Sequence, residues 1–281
     1  MRQQLKYRIY PSLLDKFQEL LDSEIEADDF FNLDEEGNQR RTADEIADQH
    51  TQELIDTINR VPHAPIEAAD KGTCFNEIVD AISDNDGRYP ADDFDPSEGD
   101  YVTLNGDGGT GPVVGIRAMR NGFTFDFDIN LLRSAADYFA GAVHQQLVRA
   151  TIGTKYGAVE LYGYIDEILP TKVCDIKTTS SSYKFGKFER KWQKDVYPYC
   201  LTESGLMQVE EFEYTVYQLS KPSGRSPLIT GCQYLEQYTY NHAAATMRLR
   251  RHVEHFIEWL EVHRDQITDR KIFGGDNNVA A

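Results

Sequence analysis

The segment 163–179 constrains the fold of this chain more than any other part of the sequence. It contains two short apolar runs, 163–168 and 173–179, on either side of the polar stretch Pro170-Thr171-Lys172. Apolar runs of this length that flank a tight polar turn are typical of a β-hairpin. The segment therefore predicts two paired strands in the second half of the chain.

Three charged side chains fall on this hairpin. Because side chains alternate across a strand, Asp175 and Lys177 project from one face, while Ile176 between them points the other way. Asp166 on the partner strand lies close enough along the hairpin to join them. Two carboxylates can hold Mg²⁺, and an ammonium beside them can stabilise developing negative charge or orient a water.

This arrangement resembles the PD-(D/E)XK nuclease superfamily, in particular its RecB-like and phage-exonuclease-like branch. The matching pattern is G-x-x-D followed by D-x-K-T, with the residues Gly163, Asp166, Asp175, Lys177 and Thr178. A D-x-K tripeptide alone is common on solvated strand faces with alternating charges. The resemblance therefore depends on three further motifs.

The first of these is Q-x-x-x-Y, formed by Gln193 and Tyr197. Residues four apart share one face of a helix, and apolar residues recur here at helical spacing with Pro198 at a kink or break. In RecB-like nucleases the pair supports the active site and contacts the nucleic-acid strand. The other interpretation is a core tyrosine with an incidental glutamine.

The second motif lies in 71–82, where an apolar stripe predicts a helix. The segment resembles the first family motif, a glycine-led helix that supplies one more metal ligand. Asn76 stands where many relatives carry histidine, so Glu77 becomes the candidate ligand, because a carboxylate suits Mg²⁺ better than an amide. His144 is an alternative, although a lone helix histidine is more often structural.

The third motif is similar to the S-x-L-x-x-F helix that opens RecB-like nuclease domains, and Ser12, Leu14 and Phe17 carry it. The resemblance as a whole implies a restriction-endonuclease-like α/β core, with a mixed central β-sheet flanked by helices. It also implies hydrolysis of DNA with Mg²⁺ or Mn²⁺ as cofactor. The metal ligands that it implies are Glu77, Asp166, Asp175 and the main-chain carbonyl of Ile176. Lys177, Gln193 and Tyr197 complete the implied catalytic set.

Charge is distributed unevenly along the chain. The net charge is −18, yet residues 1–100 carry 26 acidic and nine basic residues, whereas residues 101–281 carry 21 and 20. Phosphate binding needs Lys and Arg, and a basic run lies between the D-x-K strand and the Q-x-x-x-Y helix. Its candidate nucleic-acid-binding residues are Lys184, Lys187, Arg190, Lys191 and Lys194.

The four cysteines are Cys74, Cys174, Cys200 and Cys232. Some RecB-like nucleases hold an iron–sulfur cluster through four thiolates, most of them closely spaced. Here no two cysteines are close in sequence, so we expect reduced thiols and no iron–sulfur cluster. The spacing matches no zinc motif either.

The resemblance and the order of the predicted elements together imply one nuclease domain over 1–281. It has an acidic helical part at about 1–83 and a loop-rich insertion at about 84–112. The predicted helices are 11–27, 42–60 with a capping box at Thr42 and Glu45, 70–83, 131–150, 187–203 and 240–267. The predicted strands are 123–129, 154–161, 162–169, 172–178 and 211–219, and 220–232 is a polar connection.

We therefore expect a metal-dependent deoxyribonuclease that acts on linear or single-stranded DNA, as in repair, recombination or phage genome processing. A helicase, a recombinase or a single-strand-binding protein is the expected kind of partner. The start of the chain has no apolar signal run and no stretch has the length of a membrane span, which favours the cytoplasm and no membrane partner. The alternative is a catalytically silent module of the same fold that binds nucleic acid or protein.

Overall fold

The computed structural model describes residues 5–29, 32–84, 100–106, 111–224 and 227–274. It is an α/β structure with a mixed central sheet between layers of helices. The strands are β1 (Leu5–Ile9), β2 (Asp100–Asn105), β3 (Val113–Arg120), β4 (Phe123–Asp128), β5 (Val143–Thr154), β6 (Gly157–Ile168), β7 (Lys172–Thr179), β8 (Glu211–Leu219) and β9 (Gly231–Thr239). The helices are α1 (Pro11–Leu21), α2 (Ser23–Ala27), α3 (Ala43–Ile58), α4 (Glu67–Asp84), α5 (Ile129–Tyr138), α6 (Gln193–Glu203) and α7 (His242–Val262).

Strand β6 organises the central sheet. Strand β5 pairs with β6 in antiparallel fashion from Gly157 to Ile168, and β1 pairs with the first part of β6 in parallel fashion, from Ala158 to Leu161. Strand β7 pairs with β6 only at its end, through Glu167 and Ile168. Because one edge of β6 is occupied by β5 throughout, β1 and β7 share the other edge and leave an opening between them.

Strands β7 and β8 are parallel and are joined across the sheet by α6, while β9 closes the sheet against β8 in antiparallel fashion. Residues 173–176 of strand β7 are buried because helices cover both of its faces. On one face α1, α6 and α7 contribute to a core that includes Phe17, Val196 and Phe256. On the other face α4, α5 and the antiparallel sheet β2–β3–β4 form a second core around Phe75 and Phe127.

Much of the predicted secondary structure is confirmed. The hairpin, the strands at 123–129 and 211–219 and the helices near 70–83 and 240–267 all form, with shifted ends. The capping box is present: the Glu45 N–H donates to Thr42 Oγ1 at 3.3 Å, and the Thr42 N–H donates to Glu45 Oε2 at 2.9 Å. The predicted first helix is divided at Asp22 into α1 and α2.

The helix predicted over 131–150 is wrong in its second half. Helix α5 ends at Tyr138, Gly141 follows with a φ of 81°, and Val143–Thr154 is strand β5. Pairing with the whole of β6 decides this conformation, because a continuous strand ladder outweighs local helix propensity. The strands predicted at 154–161 and 162–169 are accordingly one strand, β6.

Three smaller predictions also need correction. The helix predicted from residue 187 begins at Gln193. Residues 231–239 form the edge strand β9, which was not predicted because many of its side chains are polar. Within the predicted loop 84–112, Asp100–Asn105 is strand β2, paired with β3. The rest of that segment lies partly outside the described residues. Among the described helices, none has both the length and the apolar character needed to span a bilayer.

Candidate active site

The opening between β1 and β7 contains the first predicted aspartate. Strands β6 and β7 separate after only two residue pairs, Glu167 with Cys174 and Ile168 with Val173. At the point of separation the Ile176 N–H donates to Asp166 Oδ2 at 2.8 Å. The carboxylate of Asp166 therefore satisfies a backbone donor that would otherwise need a strand partner, and it is held between the two strands.

Asp175 lies on β7 and is almost fully buried, with 2% of its surface exposed. Its Oδ2 is 2.5 Å from the Lys177 ammonium nitrogen, and its Oδ1 accepts a hydrogen bond of 2.5 Å from Gln193 Nε2. Ile176 between them packs into the core on the opposite face. The predicted alternation along this strand is confirmed.

The electrostatics of the site reflect two buried like charges. Burial and the neighbouring charge of Asp175 raise the pKa of Asp166 to about 7, although Lys177 acts in the opposite direction. Burial also raises the pKa of Asp175. Burial disfavours the charged form of Lys177, but the carboxylates of Asp175 and Asp166 outweigh it and raise the pKa of this ammonium. A divalent cation fits this oxygen-rich donor set, because it compensates both carboxylates at once.

The Q-x-x-x-Y pair joins the same site. Gln193 is the first residue of α6, and its Nε2 lies 3.5 Å from the hydroxyl of Tyr197 while it also donates to Asp175. The ring of Tyr197 packs on Gly163 of β6: a Cβ at Gly163 would lie 2.8 Å from Tyr197 Cε1. Glycine in the G-x-x-D motif therefore makes room for the tyrosine of the Q-x-x-x-Y motif.

Asp15 is a site residue that the sequence analysis missed. It lies on α1 and is buried, and its Oδ1 accepts a 2.6 Å hydrogen bond from the Trp192 N–H at the start of α6. Its charge also contributes to the raised pKa of Lys177. A charged residue between Leu14 and Phe17, inside an otherwise apolar helix face, was the available signal.

One face of helix α4 packs against the strand that carries Asp175. Its residue Gly72 packs on β7, since a Cβ there would lie 2.8 Å from Thr178 Oγ1. Residues four and eight positions further on share that face, and these are Asn76, whose buried Oδ1 has no hydrogen-bond partner among the described residues, and Asp80. The charge of Asp80 helps to raise the pKa of Asp166.

Glu77 has other partners. Its carboxylate accepts hydrogen bonds from the Tyr101 hydroxyl at 2.5 Å and from Arg120 Nη1 at 3.0 and 3.2 Å. Both partners belong to the second sheet, so the contacts of Glu77 join α4 to that sheet. Its role as a metal ligand stays a prediction, whereas Asp80 and Asn76 occupy the helix face that packs toward β7.

His144 lies on strand β5 and not on a helix. Its Nδ1 is 2.7 Å from Glu167 Oε2 and 3.7 Å from Asp80 Oδ1. The adjoining residue Gln145 has a φ of 48°, which is uncommon for a residue with a side chain. Its Nε2 donates to Asp80 Oδ2 at 3.2 Å and to Asp166 Oδ1 at 3.5 Å. Gln145 thus links the group around His144 to Asp166.

Two of the five residues of the basic run are paired with acids of the same chain. Arg190 contacts Asp22 at 2.7 Å, and Lys191 contacts Glu19 at 2.9 Å. The ammonium of Lys194 donates to main-chain carbonyls, and burial lowers its pKa. Lys187 lies 5.6 Å from the ring of Phe188, and Lys184 precedes it on the same connection. Glu19 of α1 and Asp22, which follows this helix, therefore neutralise part of the surface that was predicted to bind phosphate.

The raised carboxyl pKa values predict an unusual pH dependence of stability without metal. The folded protein keeps a proton on Asp166 up to about pH 7 and one on the pair Asp80–Glu167 up to about pH 8, whereas the unfolded chain releases them near pH 4. The stabilisation is therefore fully present below about pH 4 and is lost progressively as the pH rises to about 7 to 8. In EDTA we expect the melting temperature at pH 8.5 to lie at least roughly 5 °C below that at pH 5.5, since the proton of Asp166 alone accounts for about 2 kcal/mol over this range.

Differential scanning fluorimetry measures this effect directly. Mg²⁺ at pH 8.5 should recover most of the loss, because the ion takes the place of the protons. The Asp166→Asn variant should show a smaller drop between the two pH values. A melting temperature that rises from pH 5.5 to pH 8.5 in EDTA would contradict the assignment of raised pKa values.

Comparisons with known proteins add little to this geometry. No model of a known protein family matches the chain, and no curated protein matches it. Among solved structures, the crystal structure of SSO0001 is similar with a TM-score of 0.32 and 16% sequence identity, over 46% of this chain and 55% of that chain. The chain thus spans about half the length of that protein, and neither family nor function is inferred from the likeness.

Proposed function

We propose that the protein is a Mg²⁺- or Mn²⁺-dependent deoxyribonuclease of the PD-(D/E)XK superfamily, within its RecB-like branch. One observation carries the proposal. Five side chains named by separate sequence motifs meet at one opening of the sheet: Asp166, Asp175, Lys177, Gln193 and Tyr197. A solvated strand face or an incidental glutamine would not require this convergence.

Asp166 and Asp175 are the residues that would hold the metal, together with the main-chain carbonyl of Ile176. The bound ion would lower the pKa of a water and neutralise charge that develops on the phosphate. Asn76 on α4 is better placed than Glu77 to complete the donor set, because its face of the helix packs toward β7. Its side-chain oxygen is of the hard type that Mg²⁺ prefers.

The other residues of the site hold the metal ligands in position or stabilise negative charge on the phosphate. Lys177 carries a compact ammonium beside Asp175, suited to a phosphate oxygen or to a water that it would orient. Gln193 fixes Asp175 Oδ1 and Tyr197 packs against Gly163, so α6 holds the D-x-K strand at the opening. A catalytically silent binder has no need of two buried aspartates with a lysine between α6 and the sheet, since buried like charges destabilise a fold.

Exposed aromatic rings on the strand and the connection next to the site residues in sequence favour an unpaired strand as substrate. Tyr164 precedes Asp166 by two residues on the same face of β6 and is 58% exposed, and Phe185 on the connection after β7 is 74% exposed. Aromatic side chains stack on the bases of single strands with little sequence preference. Partly neutralised basic residues imply few phosphate contacts and a moderate affinity, unless a partner such as a helicase or a recombinase supplies basic surface.

We expect degradation from ends. Purified protein with Mg²⁺ should shorten linear duplex or single-stranded DNA and leave a covalently closed circular duplex intact over the same time. The Phe185→Ala variant should need roughly 10-fold more single-stranded DNA for half-maximal rate, as loss of about 1–2 kcal/mol of stacking implies. Gel analysis of end-labelled substrates measures both. Ready cutting of the closed circle at defined positions would replace the exonuclease proposal by an endonuclease.

A further inference from the structure

A second group of metal-binding side chains lies beside the proposed active site. Asp80 on α4, His144 on β5 and Glu167 on β6 each offer a ligand atom, and these atoms all lie within 4.8 Å of one another. The Nδ1 of His144 is the nearest to both carboxylates, at 2.7 Å from Glu167 Oε2 and 3.7 Å from Asp80 Oδ1. Three separate elements of the fold thus bring one imidazole and two carboxylates to one point.

Glu167 is fully buried, and apart from the carboxyl of Asp80, with which it can share a proton, neither of its oxygens has a hydrogen-bond donor among the described residues. The close approach of His144 Nδ1 does not have hydrogen-bond geometry, since Nδ1 is itself without a hydrogen-bond partner. A carboxylate removed from water without a donor is costly unless a charge compensates it. Here a second carboxylate, that of Asp80, lies alongside and increases the need for a positive charge.

The other ring nitrogen of His144 also has a carboxylate neighbour. Its Nε2 lies 3.5 Å from Asp84 Oδ1 at the end of α4. Histidines that bind metals usually direct the second ring nitrogen to a carboxylate or carbonyl, which fixes the tautomer and leaves the first nitrogen free to bind. The neighbour of Nε2 therefore leaves Nδ1 as the ligand atom, on the side where Glu167 and Asp80 lie.

We propose that Asp80, His144 and Glu167 bind a divalent first-row transition-metal ion at a site separate from that of Asp166 and Asp175. An imidazole with two carboxylates suits Mn²⁺ or Zn²⁺, whereas Mg²⁺ prefers oxygen ligands alone. The proposal rests on the contacts of these three residues and does not depend on nuclease activity. No covalent or redox step is involved.

The second ion would be linked to Asp166 through Gln145. The amide of Gln145 donates to Asp80 Oδ2 at 3.2 Å and to Asp166 Oδ1 at 3.5 Å, and its backbone has a φ of 48° within β5. Strained backbone persists where the surroundings fix it. An ion bound to Asp80, His144 and Glu167 would hold α4 against β5 and β6. It would thereby keep Gln145 in place between Asp80 and Asp166.

Pulsed electron paramagnetic resonance of Mn²⁺ added to the metal-free full-length protein tests the site, because it detects a directly bonded imidazole nitrogen. We expect a nitrogen coupling in the wild type and in Asp175→Asn, in which the other site is impaired. The coupling should disappear in His144→Gln, and Glu167→Gln should weaken Mn²⁺ binding at least 10-fold. The His63→Gln variant is the matched control, because His63 is exposed before α4 and should leave the coupling unchanged.

Circular dichroism and melting temperatures establish that each variant is folded before the comparison is made. Bound Mn²⁺ without a nitrogen coupling in the wild type would overturn the proposal, as would a coupling that survives in folded His144→Gln. Loss of the coupling in Asp175→Asn would mean that the ion belongs to the neighbouring site. If the protein binds neither Mn²⁺ nor Zn²⁺, the proposal is overturned, and a proton shared between Asp80 and Glu167 accounts for the cluster instead. None of these readouts requires DNA cleavage, so failure of the proposed function is recognised separately.

Discussion

Replacement of Asp175 or Lys177 by alanine is expected to reduce Mg²⁺-dependent DNA cleavage by about three orders of magnitude each, equivalent to about 4 kcal/mol of transition-state stabilisation. Asp175 would lose its place as a metal ligand, and Lys177 its ammonium next to the phosphate. The two residues contact each other at 2.5 Å, so their effects should be far from additive in the double variant. Initial rates on end-labelled linear DNA measure the loss.

Folding has to be separated from catalysis in this experiment. Lys177→Ala leaves a cavity as well as an unpaired Asp175, so Lys177→Met, which keeps the volume of the side chain, and the nearly isosteric Asp175→Asn are the second pair of variants. Lys155→Ala is the matched control: this lysine pairs with Glu258 at 2.7 Å on the hairpin between β5 and β6 and should keep full activity. Full activity in all of the folded Asp175 and Lys177 variants would remove the basis of the nuclease proposal.

Gly163→Ala is expected to destabilise the protein by about 1–3 kcal/mol, the range typical of an overpacked core. The added methyl group would lie 2.8 Å from Tyr197 Cε1 and 3.3 Å from Pro11 Cδ, so α6 and α1 would both have to move away from β6. Because α6 carries Gln193, which fixes Asp175, cleavage should fall together with stability. Urea unfolding gives the first quantity and the rate on linear DNA the second.

Gly153→Ala is the control for Gly163→Ala. Gly153 lies on the neighbouring strand β5, where an added Cβ meets nothing within 4 Å, so its substitution should change the free energy of unfolding by less than about 0.5 kcal/mol. In a background of Tyr197→Ala the cost of Gly163→Ala should shrink, because the ring that opposes the methyl group is gone. Equal stability of Gly163→Ala and wild type would contradict the packing described for the two motifs.

The part of the site on the hairpin could be predicted from sequence because its geometry is local. Side chains alternate along β7, so Asp175 and Lys177 must share a face of the strand. Gln193 and Tyr197 are four residues apart, so they must share a face of α6. The mixed α/β sheet was also predicted, since strands at 162–178 and 211–219 flank a helix. Strand β5 was not, because its conformation depends on pairing with β6 along its whole length.

The contribution of α4 could not be derived in the same way. The periodicity of 71–82 predicts a helix but does not say how that helix is rotated relative to the sheet, and the close approach of Gly72 to Thr178 decides this. Because of this contact, Asn76 and Asp80 lie on the face of α4 that packs toward β7. Glu77 contacts Tyr101 and Arg120 instead. Likewise, no local pattern indicates that Glu19 of α1 and Asp22 after it pair with Lys191 and Arg190.

The most direct test of the account is hydrolysis of linear DNA by the purified protein in H₂¹⁸O. With Mg²⁺ the account predicts nucleotide products whose new terminal phosphate carries one ¹⁸O, detected by mass spectrometry, and no products in EDTA or with Asp175→Asn. Hydrolysis through water is the only route that places this label on the phosphate. Intact DNA after incubation of folded wild-type protein with Mg²⁺ or Mn²⁺, in single-stranded and duplex form alike, would contradict the account and favour a silent nucleic-acid-binding or protein-interaction module.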